Sequence, residues 1–557
     1  MRLLLALIVL ALVAPAAQAT PLDRPDDPVV LTGASTPSLI GAAPHDVVAF
    51  AWTDKWHQVP VQVDERKTFD LRVAYPNPFS CGGNGLCYSP FSTAAKLRYA
   101  DAGTLVGADT DPALDGDDEI AFMAKDAGAG AAAAADPNTV VAGSRVRIKV
   151  SDPLGGGVGY VYLFRQKGKL DPGAGAAYVT YKFSLASGAY PGTYKFAAGT
   201  NTEDSTVVTP YYSRRFTDRW QESELKITRG GASGVDILDR NENQFAPDQC
   251  GRSRLTFSRG EGTFLVNRSG PVRAIRAFMG ANSGPMTENQ QIFYRGREDD
   301  TVFLRVHPIP SVMSFFDYSS AASGMTYRNN NNPGGVMIDG SPDTVAAGTL
   351  TWESVNGSQG GLTSVHTWDT DLDASKFTSF YRDLASPPAG QGPCEGDAGF
   401  YGASGPYVNG SIGDTNEPAS GSAPVDRLTS RRTMFFDPPN GADGALRRGQ
   451  VESPLRTAIA AGSPKSRVKL KLRLRYRHRA CGRTAAFVTV AGTGLGQVAR
   501  VGLKVRKRTL ATDRKRPFRL KLTERRLGGH HSGRIKLVVR LRGGKHVTLK
   551  ATVRGLC

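Results

Sequence analysis

The densest cluster of acidic side chains in the sequence lies between residues 109 and 119 and has the chemistry of a cation site. Its members are Asp118 and the five residues that we predict as ligands, Asp109, Asp111, Asp115, Asp117 and Glu119. Carboxylates this close together repel one another unless something compensates, and calcium accepts about six to eight oxygen ligands from a flexible loop. The spacing differs from an EF-hand, because no Glu stands at the twelfth position. We predict calcium here and no other cofactor, the alternative being a solvated acidic turn before the apolar run at 120–123.

A second group of polar residues has the side-chain types that β-elimination from a sugar acid requires. His307, Tyr294 and Arg305 are candidates for the base, the acid and the anion clamp in β-elimination from a uronate. That reaction needs a base at the α-carbon proton and positive charge at the carboxylate. Arg305 and His307 share one face if their segment is a strand. The alternative is that these are polar residues at strand ends that make structural hydrogen bonds.

A third group combines carboxylates with an aromatic side chain. Its members are Trp352, Glu353, Asp369 and Asp371. Paired carboxylates beside aromatic platforms suit a glycosidase-type or sugar-binding cleft. The sequence has no nucleophile elbow, P-loop, dinucleotide fingerprint or HExxH motif, which argues against common serine esterases, nucleotide enzymes and metalloproteases. Whether the protein is an enzyme stays open at this point.

The first 19 residues predict a secretory signal peptide. Arg2 supplies a positive charge, residues 3–13 are apolar, and residues 17–19 read Ala-Gln-Ala, a small-x-small cleavage pattern. The apolar run is shorter than the roughly 20 residues that span a bilayer, and no later run is long enough, so we predict no membrane span. An uncleaved N-terminal anchor is the alternative. We expect a secreted, extracellular protein that can be retained at the surface.

The six cysteines predict three disulfides, as is usual for an exported chain. The pairs that we favour are Cys81–Cys87, Cys250–Cys394 and Cys481–Cys557. The first is favoured by closeness in the sequence and the third by separation between domains, which leaves the second to bridge the body. A metal site is the alternative, but there is no Cys-x-x-Cys pair and histidine is scarce.

The elements that must position these residues are predicted to be mainly β-strands. Alternating runs such as 145–150 and 160–164 indicate a large antiparallel sandwich-type body. One short helix is expected at 374–384. The predicted regions are an N-terminal β region at 20–126, the main β-sandwich body at 139–385, a loop-rich segment and linker at 386–464, and a small basic domain at 465–557.

The C-terminal domain has the clearest pattern. Val468, Leu470, Leu472, Leu474 and Tyr476 alternate with Lys469, Lys471, Arg473, Arg475 and Arg477. A period of two places one set inside and the other in water. With Gly543-Gly544 as a hairpin signal, this region resembles the immunoglobulin-like β-sandwich modules appended to secreted actinobacterial proteins. The resemblance covers the tail alone.

A shorter resemblance lies near the N-terminus. A Val-Pro-x-Gln-x-Asp strand at 59–64 precedes the acidic turn Asp115 to Glu119, which stands where the similar proteins have Asp-Gly-x-x-Asp-Glu, and an apolar strand at 120–123. This order is similar to secreted polysaccharide-processing proteins with a β-supersandwich fold. It covers about 65 residues of the chain. The resemblance implies carbohydrate as the substrate class.

Charge divides the chain into two unlike parts. The total is +18, but residues 465–557 hold 28 Lys and Arg against two acids, giving +26, while the remainder holds 41 basic and 49 acidic residues, giving −8. Such a basic module attracts polyanions. We predict an anionic polysaccharide or cell-wall polymer as the partner. Specific recognition of nucleic acid is not expected, since few aromatics are available for base stacking. The alternative is an arginine-rich surface without a partner.

Three functions compete on these observations. The first is a secreted, non-catalytic protein of the cell envelope that engages carbohydrate and is anchored by the cationic C-terminal module. The second is a polysaccharide lyase or glycoside-active enzyme. The third is an adhesin or a structural protein of a matrix. The oligomeric state does not follow from the sequence.

Overall fold

The computed structural model describes most of the chain in two compact units, residues 1–460 and 461–557. It describes residues 22–74, 95–131, 134–186, 203–231, 233–247, 249–258, 262–281, 287–304, 308–413, 426–461, 470–479, 482–492, 495, 498–506, 508–515, 518–541 and 546–556. Outside these ranges lie the predicted signal peptide at 1–19, four of the predicted disulfide cysteines (Cys81, Cys87, Cys481 and Cys557), and Arg305 and His307.

The protein is mainly β, as predicted. Strands account for 53% of the structure and helices for 9%, and the sheets are antiparallel. The α-helices described are α1 (Cys250–Ser253) and α2 (Gly444–Glu452). No helix in the described part of the chain combines the length and the apolar character needed to cross a membrane.

Two sheets form a sandwich near the N-terminus of the first unit. The three-stranded sheet has the order β1 (Pro28–Thr32), β7 (Glu119–Met123), β4 (Gln62–Asp64). The five-stranded sheet has the order β27 (Arg456–Ala461), β8 (Val146–Ser151), β9 (Val158–Arg165), β2 (Val47–Trp52), β3 (Trp56–Val59). In β8 the apolar residues at alternate positions are buried and their neighbours are not, because side chains alternate across a strand. These strands share one apolar core.

A nine-stranded sheet is the largest element of the first unit. Its order is β15 (Thr263–Arg268), β16 (Ala274–Met279), β17 (Glu288–Phe293), β18 (Arg297–Phe303), β26 (Leu428–Asp437), β23 (Gly360–Thr370), β22 (Trp352–Gly357), β20 (Thr326–Asn329), β21 (Asn332–Met337). A hairpin of β5 (Arg66–Asp70) and β6 (Ala95–Tyr99) packs against it through Phe69 and Tyr99.

Two four-stranded sheets complete the first unit. One has the order β10 (Thr180–Lys182), β11 (Ser205–Val208), β12 (Tyr212–Asp218), β13 (Gln221–Ile227). The other has the order β14 (Leu238–Gln244), β19 (Ile309–Tyr318), β25 (Phe400–Ile412), β24 (Phe377–Leu384). Both share apolar cores with the nine-stranded sheet, which makes the body a layered β-sandwich.

The predicted disulfide Cys250–Cys394 is confirmed, with 5.0 Å between the two Cα atoms. It joins the start of α1 to the segment before β25.

The predicted helix at 374–384 is wrong. Residues Ala374–Lys376 form a single 3-10 turn, and β24 follows at once. The Asp373 side chain accepts a hydrogen bond of 2.8 Å from the backbone N–H of Ser375, which closes the turn. The next residues are rich in Phe, Thr and Tyr, types that favour strands, and the long pairing with β25 holds them extended.

The second unit is a small β-sandwich of two sheets. One has the order β28 (Leu470–Arg479), β29 (Gly482–Gly492), β32 (Arg519–Leu522). The other has the order β31 (Arg508–Asp513), β30 (Val498–Val505), β33 (Gly533–Leu541), β34 (His546–Val553). Apolar side chains from both sheets fill one core. The predicted alternation is confirmed over 470–477, where the basic residues are exposed and the apolar ones face inward.

Candidate functional site

The acidic loop before β7 is held in shape by its own carboxylates. Asp118 is fully buried and accepts backbone N–H groups from Arg66 at 2.8 Å and Asp115 at 2.7 Å. The loop also packs tightly on Gly33, whose N–H donates to the Asp118 carbonyl at 2.8 Å. A Cβ at residue 33 would lie 1.8 Å from the Asp115 carbonyl oxygen, so only glycine fits there. These hydrogen bonds and the close contact at Gly33 hold the acidic loop in one conformation.

The structure divides the predicted calcium ligands into two classes. Glu119 accepts hydrogen bonds from Arg66 at 2.7 Å, Tyr99 at 2.8 Å and Arg273 at 2.8 Å, so basic and phenolic groups already engage it. Asp111 is exposed and outside the close carboxylate groups. The remaining three fall into two close carboxylate groups, with Asp109 in one group and Asp115 and Asp117 in the other.

Two residues that were not among the predicted calcium ligands, Glu65 and Asp118, belong to the close carboxylate groups. The close carboxylate groups are Glu65, Asp109 and Asp118, and Asp115, Asp117 and Asp118, each with ligand oxygens within 4.8 Å of one another. A hydrogen bond between the side chains of Asp115 and Asp117, together with burial, raises the pKa of Asp117 to about 6. Burial also raises the pKa of Asp118. The ionised forms of Asp117 and Asp118 are therefore disfavoured in the loop as it stands.

Tyr294, the proposed acid of a lyase, lies inside the body. Its side chain is 2% exposed, and its phenol is 3.4 Å from Nη1 of Arg273. Burial raises the pKa of Tyr294 to about 12. Arg273 in turn binds carboxylates on β4 and β7. Tyr294 therefore belongs to a buried ion-pair network, and the other two members of the predicted lyase set lie outside the described residues.

The predicted sugar-binding group does not come together in one cleft. Glu353 is buried and bound by Nε2 of His366 at 3.1 Å and the Tyr327 hydroxyl at 3.3 Å. On β23, Asp369 is three residues beyond His366 and so faces the opposite side of the sheet. Asp369 instead pairs with Arg427 at the surface, 3.1 Å away.

The other two members of that group also have separate surroundings. The Asp371 carboxylate accepts the backbone N–H of Arg427. Trp352 is partly exposed and lies against Gly444, where an added Cβ would be 1.9 Å from the indole ring. A helix therefore covers the indole that was the predicted platform.

A cleft opens between the nine-stranded sheet and the sheet that contains β19. Its walls are largely apolar, and Trp220 and Trp368 are the largest side chains in them. Two polar atoms there, Nε1 of Trp368 and Oδ1 of Asp300, have no hydrogen-bond partner among the described residues. Burial raises the pKa of Asp300 to about 6. Apolar walls with a few polar atoms are the usual character of a small-ligand pocket.

The outer face of the β28-β29-β32 sheet is a continuous basic surface. The exposed cationic side chains on it are Lys471, Arg473, Arg475, Arg477, Arg519 and Lys521. Between the rows on β28 and β32 lies β29. Its residues on this side are Ala485, which is buried, and Phe487, Thr489 and Ala491, which are partly exposed. We call these ten residues the basic face. None of them is acidic.

Some exposed arginines of the first unit form ion pairs with acidic residues, which, in the part of the chain that the structure describes, the cations of the basic face do not. In the first unit Arg215 pairs with Asp204 at 2.8 Å and Arg448 with Glu452 at 2.7 Å. Within the described residues, no salt bridge to an acid is formed by the six cations of the basic face. Sequence periodicity predicted the row on β28. The position of the row on β32, two strands away in the same sheet, follows only from the fold.

Comparison with known proteins gives no family for this chain. No protein-family model matches it, and no curated protein matches it either.

Proposed function

We propose that the protein is an exported, non-catalytic binding protein that attaches to an anionic polysaccharide or cell-wall polymer through its C-terminal unit. The observation that carries the proposal is the basic face, where six cations stand together without an acidic residue. Cations at alternate positions of one strand lie close enough to repel one another. A bound polyanion would relieve that repulsion, which gives the arrangement a physical reason.

The spacing of the basic face suits an extended polymer. Alternate residues of a strand repeat at about 6.6 to 6.8 Å, so Lys471, Arg473, Arg475 and Arg477 form an evenly spaced row. The row on β32 lies two strands away, about 10 Å across the sheet. The strand between them presents small or neutral side chains. Two cationic rows flanking a neutral floor match a single chain with regularly repeated negative charge.

The aromatic residue on this face favours charge recognition over base stacking. The guanidinium carbon of Arg519 lies 4.2 Å from the centroid of the Phe487 ring. The ring is therefore covered by a cation, whereas proteins that bind single-stranded nucleic acid stack bases on open aromatic rings. A partner recognised by charge alone would be bound with strong salt dependence.

A paired-variant experiment tests this site in the full-length protein. The double substitution Arg473→Gln/Arg475→Gln removes two charges from the middle of the β28 row. Taking about 1 kcal/mol for each cation at an anionic surface, we expect binding to polygalacturonate to weaken roughly 10- to 30-fold at low salt. Neutral dextran serves as the uncharged ligand.

The matched control is Arg215→Gln/Arg427→Gln, which removes the same charge from exposed positions of the first unit. We expect this control to bind like the wild type. Equal loss in both double variants would mean that net charge alone drives binding, and the basic face would not be the site. Stronger binding to duplex DNA than to the uronate polymer would assign the face to nucleic acid instead.

A further inference from the structure

Two segments far apart in the chain meet at the acidic loop. Glu65 stands between β4 and β5, and the other acidic residues of this group stand in the loop before β7. The carboxylate oxygens of Glu65, Asp109 and Asp118 lie within 4.8 Å of one another. Asp118 also belongs to a second close group with Asp115 and Asp117. Because Asp118 belongs to both groups, these five carboxylates form one cluster.

Glu65 is the member of this cluster whose carboxylate receives no hydrogen bond from the described residues. Its side chain is buried, with the residue 8% exposed, and neither carboxylate oxygen accepts a hydrogen bond from any described group. Its neighbours are satisfied, since Asp118 accepts two backbone N–H groups and the nearby Arg268 binds Asp64 at 2.6 Å. Buried carboxylates in proteins normally have such partners. Burial and the charges of Asp118 and Asp109 raise the pKa of Glu65 to about 8.

We propose that Glu65, Asp109 and Asp118 bind a divalent cation of the calcium class. Glu65 gains most from the ion, because no described group donates a hydrogen bond to its carboxylate. All the side-chain ligands are carboxylates, and oxygen donors suit hard cations. No histidine or cysteine belongs to either carboxylate group, which disfavours zinc. Calcium tolerates the irregular arrangement that loop residues provide, whereas magnesium demands near-octahedral geometry.

The ion has a structural consequence at this corner of the first unit. The backbone N–H of Arg66 already donates to Asp118, and the Arg66 side chain binds Glu119. A cation held by Glu65 and Asp109 would add a further connection between the β4–β5 corner and the acidic loop. Binding of an ion to the folded state alone would raise the resistance of this region to unfolding.

Calcium titration of the full-length, chelator-treated protein tests the proposal. Calorimetry should show a dissociation constant of about 1 mM or tighter, as in weak calcium modules, and weaker binding of magnesium. Glu65→Gln keeps the size of the side chain and removes its charge, so calcium affinity should fall at least about tenfold. The matched control is Glu452→Gln, which alters an exposed carboxylate of α2 and should leave the affinity unchanged.

Thermal unfolding with and without calcium separates ion binding from simple loss of structure. In chelator, Glu65→Gln should unfold at the wild-type temperature or above it, because the substitution replaces a buried carboxyl group that has no hydrogen-bond partner among the described residues. Added calcium should raise the unfolding temperature of the wild type only. If Glu65→Gln does not fold, Asp109→Asn, at a partly exposed position, should show the same loss of affinity. No binding at about 10 mM calcium, equal binding of magnesium, or full affinity in Glu65→Gln would overturn the proposal.

Discussion

Arg273 donates hydrogen bonds to Asp64 and to Glu119, each 2.8 Å long. Asp64 ends β4, Glu119 begins β7, and Arg273 immediately precedes β16. One guanidinium therefore connects the three-stranded sheet to the nine-stranded sheet inside the first unit. Because Arg273 is 1% exposed, water cannot replace its contacts.

Removing this guanidinium should destabilise the first unit. In Arg273→Met the chain keeps an apolar side chain of similar length but leaves two carboxylates with fewer partners. We expect a loss of about 3 kcal/mol in the free energy of unfolding, the usual scale for breaking a buried ion pair. Urea denaturation of the full-length protein measures it. The control Arg427→Met breaks the exposed pair with Asp369 and should cost below about 1 kcal/mol. Equal, small losses would contradict the structural role of Arg273.

Stability should fall as the pH rises through the range in which a buried acid ionises. Burial raises the pKa of Glu242 to about 7, whereas the same group in the unfolded chain keeps its ordinary value near 4.5. Between these values the folded state holds a proton that the unfolded state has lost, so the free energy of unfolding decreases with increasing pH. Glu242→Gln should remove on the order of 2 kcal/mol of that decrease.

The measurement is urea denaturation of the wild type and Glu242→Gln at about pH 5 and pH 8. Other buried acids, such as Asp218 with its pKa raised to about 6, add to the wild-type slope, so the difference between the two proteins isolates Glu242. The exposed Glu452→Gln is the control and should reproduce the wild-type slope. Identical pH dependence in Glu242→Gln would show that Glu242 is not protonated in the folded state.

The cysteines outside the described residues should form two further disulfides. Arg483 and Leu556 pair in a parallel β-bridge, and these residues lie close in sequence to Cys481 and Cys557. Proteolysis without reduction, followed by mass spectrometry, should recover peptides that link Cys481 to Cys557 and Cys81 to Cys87. The confirmed pair Cys250–Cys394 serves as the internal standard. Free thiols at any of the other four positions would refute the prediction.

The sequence predicted strands in which apolar and polar residues alternate. The alternation at 470–477 identified one row of the basic face, because strand side chains alternate whatever lies beside them. The same reasoning failed at 374–384, where pairing with β25 decides for a strand. A short segment with mixed propensities takes the structure that its tertiary neighbours impose.

Relationships between distant segments were beyond the reach of the sequence. The acidic loop was visible as a run of Asp residues, but the approach of Glu65 depends on how β4 and β5 meet that loop. Likewise the engagement of Glu119 depends on Arg273, which is far away in the chain. Spacing shows which side chains share a strand face and does not show which other strand lies opposite.

The most direct test of the proposed function is the salt dependence of binding by the full-length protein. Polygalacturonate is immobilised, and the dissociation constant is measured from about 50 to 500 mM NaCl. Over this range the screening length falls below the roughly 10 Å between the two cationic rows. We predict tight binding at low salt, a steep linear loss of affinity on a logarithmic plot, and no binding to dextran. Binding that is insensitive to salt, or no binding to any anionic polymer at low salt, would contradict the account.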